Sequence, residues 1–419
     1  MVLVMVALGG VPAAQGQQRV TVTYWQYYFE SKVKAVDGLI KDFESRNPGI
    51  HIVQETFPYD TYNQKVASAV PAGQGPDVVN LFYGWVPLYV ANEYLQPLPT
   101  DAFPPTEIER EFIPMVKAVK FEGKYWALPI AVRTLALFYN KDMFRAAGLG
   151  RPPLTWDEFV ADAQRLTERD AHGQVTREGF GIAPNGQDHQ LIREVLFRQW
   201  GAAPYSSDGR KVTYNTPQGA EALKWYTDLV TNAKVAVIDF FPGGNGYRDA
   251  FVAGKAGMIV DGSFAIGAIR SAAKFDWGTA LLPRRSAGGT PSNFGSFWVN
   301  GITKNATGPR LAAAEAWLKF LSSPDTETLW LTQVGEIPAA KSLASDPKLA
   351  QDPIYGPFIA SLPFAHATFF VDETAQRTVL LDAINEVVLN HADPKAALDA
   401  AAAKEQKILD DFWSKQPKR

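Results

Sequence analysis

Apolar and polar residues alternate through "VTVTYW" at positions 20–25, which predicts a strand with Val20, Val22 and Tyr24 on one face and Thr21, Thr23 and Trp25 on the other. The period then changes. Val33, Val36, Ile40 and Phe43 recur at helical spacing until Asn47, Pro48 and Gly49 stop the run. "IHIVQET" alternates again, "TYNQKVASAV" reads as a short helix ended by Pro71, and "PDVVNLF" reads as a buried strand whose Asp77 satisfies backbone groups at its start. Strand, helix, strand, helix, strand in succession predicts parallel pairing with crossover helices covering the sheet.

The pattern continues past residue 120. "YWALPIAVRTLALFYN" is extended and interrupted at Pro129, and "LTWDEFVADAQRLT" is a helix opened by a Thr155/Glu158 capping box. Pro217 sits just inside another helix start, behind Thr216. "KAGMIVDGS" predicts a strand leading into a helix at Ser263, and "GSFWVNGIT" a later strand; the last hundred residues read as mostly helical. No fixed-period repeat and no long Gly, Ser or Pro linker separates two independent units, so two domains would have to be interleaved.

Composition narrows the function. A chain of 419 residues with 46% hydrophobic and 20% charged residues builds two or three globular domains. Its net charge of −3 gives no electrostatic case for nucleic acid or an anionic membrane. Residues 1–16 are apolar to Val11 and end in Ala14, Gln15, Gly16, the pattern of a secretory signal cleaved after Gly16. No Lys or Arg precedes the apolar run, so the true start lies upstream or Met1 is internal; the alternative is a frayed apolar N-terminus. Without cysteine, the sequence as given has no lipoprotein anchor.

Catalytic and metal motifs are not found. The five histidines, at 51, 172, 189, 366 and 391, have no partners at metal-ligand spacing, so no metal or other cofactor is expected. Ser263 and Ser296 each follow glycine but lack the rest of a nucleophile elbow. "PGGNGY" at 242–247 lacks a P-loop lysine and reads as a loop; Asp372 and Glu373, adjacent near a helix start, read as capping or solvated acids. What stands out is aromatic: 11 Trp, 15 Tyr and 25 Phe, with five rings between Tyr24 and Phe29. Rings at strand C-termini and in loops lie where an open α/β sheet places its ligands.

In order along the chain, "FESRNPGIHIV", "AGQGPDVVNLFYGW", "GKYWALPIAVRTLALFYNKDMFRAAGL" with "PPLTWDEF", "FVAGKAGMIVDGSFAIGAI", "WGTALLP", and "AEAWLKFLSSPDTETLW" through "GEIPA" and "PKAALDAA" resemble segments of one family. It is bacterial extracellular solute-binding protein family 1, the substrate-binding proteins of sugar ABC importers, which includes maltose-binding protein. The resemblance covers nearly all of residues 19–412. It implies an α/β, two-lobed periplasmic-binding fold of type II, each lobe a mixed sheet flanked by helices, with several interlobe crossings. Residues 17–132 plus 296–322 would form the N-terminal lobe, and 133–295 plus 323–419 the C-terminal lobe. Hinges would lie near Ala131–Thr134, Phe294–Trp298 and Ser322–Asp325. It further implies a periplasmic or extracellular monomer, not an enzyme, that passes a small sugar to an ABC permease.

Carried over position by position, the implied ligand-binding residues are Gln26, Tyr27 and Tyr28 after the first strand, Tyr59 and Asp60 after the second, and Tyr83 and Trp85 after the third. Arg133 lies at the first crossing. Tyr247, Asp261, Ser263 and Phe264 come from the second lobe, Gly295, Ser296 and Phe297 from the second crossing, and Arg377 from a late helix. Such a set suits a neutral sugar, whose C–H faces meet rings and whose hydroxyls meet carboxylates, amides and guanidinium groups. Alternatives stay open: Trp25 as core or contact, and Arg133 and Arg377 as ligand contacts or surface ion pairs. Two arginines in one cleft would also suit an acidic sugar or a glycerophosphodiester. Polyamine binding would need more cleft acids than Asp60 and Asp261, and a secreted glycoside hydrolase would need a marked pair of carboxylates.

Overall fold

The computed structural model describes residues 19–416 apart from residue 244; the leader expected at 1–16 lies outside the described residues. The opening pattern folds as it reads. Strand Val20–Tyr27 pairs in parallel with Ile50–Phe57 on one side and Val78–Phe82 on the other, bridged by helix Glu30–Arg46 and helix Tyr59–Ala69. Val22 and Tyr24 are buried in the first lobe's core, where Tyr24 meets Trp317 edge-on at 5.9 Å. Trp25 is buried against Phe57, and Asp77 accepts from the Thr23 backbone N–H at 2.9 Å.

Two long strands carry the chain between lobes. Ala127–Asn140 pairs antiparallel with Asn293–Ile302 through Thr134, then with Ala256–Gly262 from Leu135 onward. Asn293–Ile302 in turn pairs with Val78–Phe82, so one sheet path runs from the first lobe into the second. Pro129 does not break its strand as expected. Trp298 pairs with Ala131 and Val299 with Pro129, leaving Ile130 as the extra residue of a bulge, which suits a residue that has no N–H for the ladder.

At the partner exchange a side chain replaces a strand. Leu135 N–H donates to Asn293 Oδ1 at 2.9 Å, and Asn293 Nδ2 donates to the Leu135 carbonyl at 2.8 Å. Asn293 is fully buried, so no water can take its place.

The second lobe packs Leu137, Trp156, Phe159, Phe180, Tyr226 and Val260 into its own core. Helix Trp156–Leu166 starts as expected, with Thr155 accepting from Glu158 N–H. The Glu158 carboxylate, however, accepts from Leu154 N–H at 2.9 Å and pairs with Arg151, so the reciprocal bond falls one residue earlier than in a capping box. The lobe division expected at 322/323 is displaced. Ser323 caps helix Pro324–Val334, which packs on Glu30–Arg46; Ile113 N–H then bonds Ala339 and Val132 N–H bonds Ile337. Ser322–Asp325 is therefore a turn between two helices of the first lobe, and the chain stays there to about Ala340.

Replacing Asn293 by leucine leaves the Leu135 N–H and carbonyl unpaired in a dry crossing. Urea unfolding should show a loss of roughly 2–4 kcal/mol; a change within about 0.5 kcal/mol would contradict this role.

Candidate functional site

The strand ends of the first lobe, the two crossing strands and the second lobe's edge enclose a cleft of about 480 Å³. Its aromatic floor comes from three strands and the start of a helix. Tyr27, the last residue of its strand, lies 4.3 Å from the ring of Trp298 and 5.4 Å from Tyr59, and Phe82 closes on Trp298 at 6.1 Å. Period two decides which crossing-strand residues take part: Phe294, Ser296 and Trp298 line the cleft. Gly295 and Phe297 face the other way, Gly295 against Met115, and Phe297 stacked on Tyr83 at 4.7 Å and 13°.

Beneath this floor is a buried ion cluster. Glu336 pairs with Arg133 of the first crossing strand and, at 3.0 Å, with Lys32 of helix Glu30–Arg46; Trp330 Nε1 donates to its other oxygen at 2.8 Å. The Lys32 ammonium also lies 5.2 Å from the Tyr27 ring and 5.7–5.8 Å from Phe29, Trp298 and Trp330. Cation–π attraction from four rings and one carboxylate replaces the water that burial removed. Burial acts to raise the Glu336 carboxyl, but Arg133 and Lys32 outweigh it and hold it down at about 2. Burial pushes Lys32 down to about 7 against the pull of Glu336.

The opposite wall is built on the same plan. Arg248 Nε donates to Asp261 at 2.8 Å, and its Nη2 reaches the Tyr247 hydroxyl at 3.2 Å. Phe264 lies between two guanidinium groups, with Arg133 at 4.8 Å and Arg248 at 5.4 Å from its ring. Arg377 pairs with Glu373 one helical turn away at 3.5 Å. His189 is buried, and burial, with Arg377 and Arg193 nearby, holds it well below the ordinary histidine value, so it lines the cleft uncharged.

Of the residues implied by resemblance, Tyr27, Tyr59, Arg133, Tyr247, Phe264, Ser296 and Arg377 line the cleft. The others, Asp60 apart, lie elsewhere. Gln26 is buried against Gln54, and Tyr28 is exposed outside the cleft lining. Tyr83 donates to the Thr368 carbonyl, and Trp85 packs edge-on to Trp298 at 5.5 Å from behind. Asp261 acts through Arg248, and Ser263 is buried in the turn that precedes helix Ile266–Ala272. Asp60 follows Tyr59 in helix Tyr59–Ala69.

Sequence reasoning missed Phe29, Phe82, His189, Arg248, Trp298 and Glu373 in the lining, and Lys32 with Glu336 beneath it. Two signals were available. Ser296 and Trp298 are two apart on one strand, and Lys32 stands four residues before Val36 on the helix's apolar stripe.

The cluster fixes a pH dependence. The folded value of Glu336, about 2, lies below its ordinary 4.5, so it contributes stability that is present above pH 4.5 and lost as pH falls toward 2. Lys32 works in the other direction: the fold holds its proton less tightly than the unfolded chain does, so stability rises with pH from about 7 to 10.5. In denaturation profiles, Glu336→Gln should remove the acid loss and cost about 3–5 kcal/mol at neutral pH by leaving two buried cations without their carboxylate. Lys32→Met should remove the alkaline rise; unchanged profiles would contradict the pairing.

Residues 38–357 match the profile of the bacterial extracellular solute-binding proteins. A putative binding protein of Brucella abortus is 28% identical over 95% of this chain and 94% of its own. The maltotriose-binding protein of Pyrococcus abyssi is 25% identical over 80% of this chain and 70% of its own. Among solved structures, an ABC transporter solute-binding protein of Thermotoga lettingae bound to α-D-tagatose superposes with a TM-score of 0.80 at 25% identity, covering 93% of this chain and 100% of that one. With two mixed-sheet lobes joined by crossing strands around a cleft, the chain has the type II periplasmic-binding fold and belongs to the bacterial extracellular solute-binding protein family.

Proposed function

We propose that this chain captures a neutral sugar, a disaccharide or short oligosaccharide, in the interlobe cleft and delivers it to an ABC permease as a single-chain, non-enzymatic receptor outside the cytoplasmic membrane. One observation carries the neutral part: every guanidinium lining the cleft already has a carboxylate, Arg133 with Glu336, Arg248 with Asp261 and Arg377 with Glu373. The arginines keep donors for hydroxyl groups while each already faces a carboxylate, and the one cation that shares its carboxylate, Lys32 on Glu336, lies buried beneath the rings with its proton held only to about pH 7. The rings of Tyr27, Trp298 and Phe264 supply faces for sugar C–H groups. Relatives that bind maltotriose and tagatose support the same class.

Those three carboxylates are committed to ion pairs, which supports a receptor over a hydrolase that needs a free acid and base across a scissile bond. The crossing strands exchange partners at Thr134/Leu135, beside the cleft, and we place the hinge of closure there.

A thermal-shift screen tests the reading. Neutral disaccharides and trisaccharides, uronates, glycerophosphodiesters and polyamines are each added to the full chain. A neutral saccharide should stabilise it, by about 2.7 kcal/mol at a hundredfold excess over Kd. A response to anions or polyamines alone would overturn the assignment, and release of monosaccharide in the same mixtures would mark a hydrolase.

A further inference from the structure

Past Tyr247 the cleft adjoins a second cavity, of about 270 Å³, built from the second lobe alone. Tyr247, Asn185 and Gly186 belong to both walls. The junction depends on a glycine. Gly186 interrupts the helical turn Pro184–Asp188 with φ −89° and ψ −114°, and a Cβ there would come within 2.9 Å of the Tyr247 ring and of Ala183 Cβ. Any larger residue would push Tyr247 out of the place it shares between the two cavities.

The inner walls repeat the chemistry of the outer cleft. Phe240 and Phe241 are half-buried and supply apolar faces, and Asn185 supplies an amide. Glu178 is buried; one carboxyl oxygen accepts from the Val237 N–H at 2.6 Å, and the other, without a hydrogen-bond partner among the described residues, is left for the cavity. Burial pushes this carboxyl up to about 8, so near neutral pH it is an uncharged group able to donate as well as accept.

Resting on the sugar reading above, we infer that this inner cavity is a second saccharide subsite: one sugar ring occupies the interlobe cleft, and the next passes Tyr247 to lie against Phe240 with its hydroxyls on Glu178 and Asn185. The ligand is then at least a disaccharide, and its inner unit is recognised by one lobe only. Lobe closure and chain-length selection are therefore separate properties of this protein.

Calorimetric titration of the full chain with the mono-, di- and trisaccharides of gluco, galacto and manno series tests this. In the series that binds, the disaccharide should bind about tenfold or more tightly than its monosaccharide. Phe240→Ala should erase most of that gain while leaving the monosaccharide Kd unchanged. Glu178→Gln keeps the acceptor for the Val237 N–H and so the fold, and should weaken the disaccharide severalfold at unchanged melting temperature. Equal Kd values for mono- and disaccharide, or variants that weaken both alike, overturn the inner subsite and leave the sugar reading standing. If no saccharide binds, both readings fall together.

Discussion

The carboxylate of Glu336, buried between Arg133 and Lys32, is the interaction on which the cleft depends. Removing three charges from water is costly, and a hydrophobic replacement of similar volume would often be no less stable. What the cluster provides is position. It ties a helix of the first lobe, the segment after helix Pro324–Val334 and the first crossing strand to one point under the aromatic floor. Lys32 touches the rear of Tyr27 and Trp298, so the ammonium that balances Glu336 also packs the rings offered to a ligand.

The crossing strands extend that constraint to both lobes. Ala127–Asn140 leaves Asn293–Ile302 for Ala256–Gly262 within one residue step, and the Asn293 amide fills the gap in the ladder. Arg133 and Ser296, paired across the two strands, lie on the first-lobe side of this exchange. Residues that line the cleft and the partner exchange at which we place the hinge are thus neighbours on the same two strands, an arrangement in which occupancy and closure would be coupled without a separate relay.

Much of the fold was legible because its signals are local. Alternation, helical spacing and the Thr155, Thr216 and Pro217 punctuation set the elements, and βαβ succession set the parallel first lobe. The lobe division near 322 came from the resemblance, whereas helix Pro324–Val334 packs back on Glu30–Arg46, a contact between residues about three hundred apart that no local signal marks. At the site, resemblance named Tyr27, Arg133 and Phe264, which line the cleft, but took Gly295 to Phe297 as a consecutive run, where a strand turns alternate residues to the cleft and so turns Trp298 to it. Lys32 reads as a surface lysine because the carboxylate that lets it stay buried is some three hundred residues away in sequence. Arg248 escaped notice because it is held by Asp261 on another element, and Glu373 read as a capping or solvated acid because its pairing with Arg377 one turn away does not by itself mark the cleft that both line.

Each of the three guanidinium groups lining the cleft faces a carboxylate, with Lys32 sharing Glu336 from beneath the rings, and that pairing is what favours a neutral ligand. Its most direct test is the Kd of a bound saccharide measured from about 0.05 to 0.5 M salt, across which a charge-pairing ligand would be strongly screened. The account predicts a Kd constant within about twofold over that range; a loss of about tenfold or more would show that the cleft holds its ligand by unbalanced charge and would contradict it.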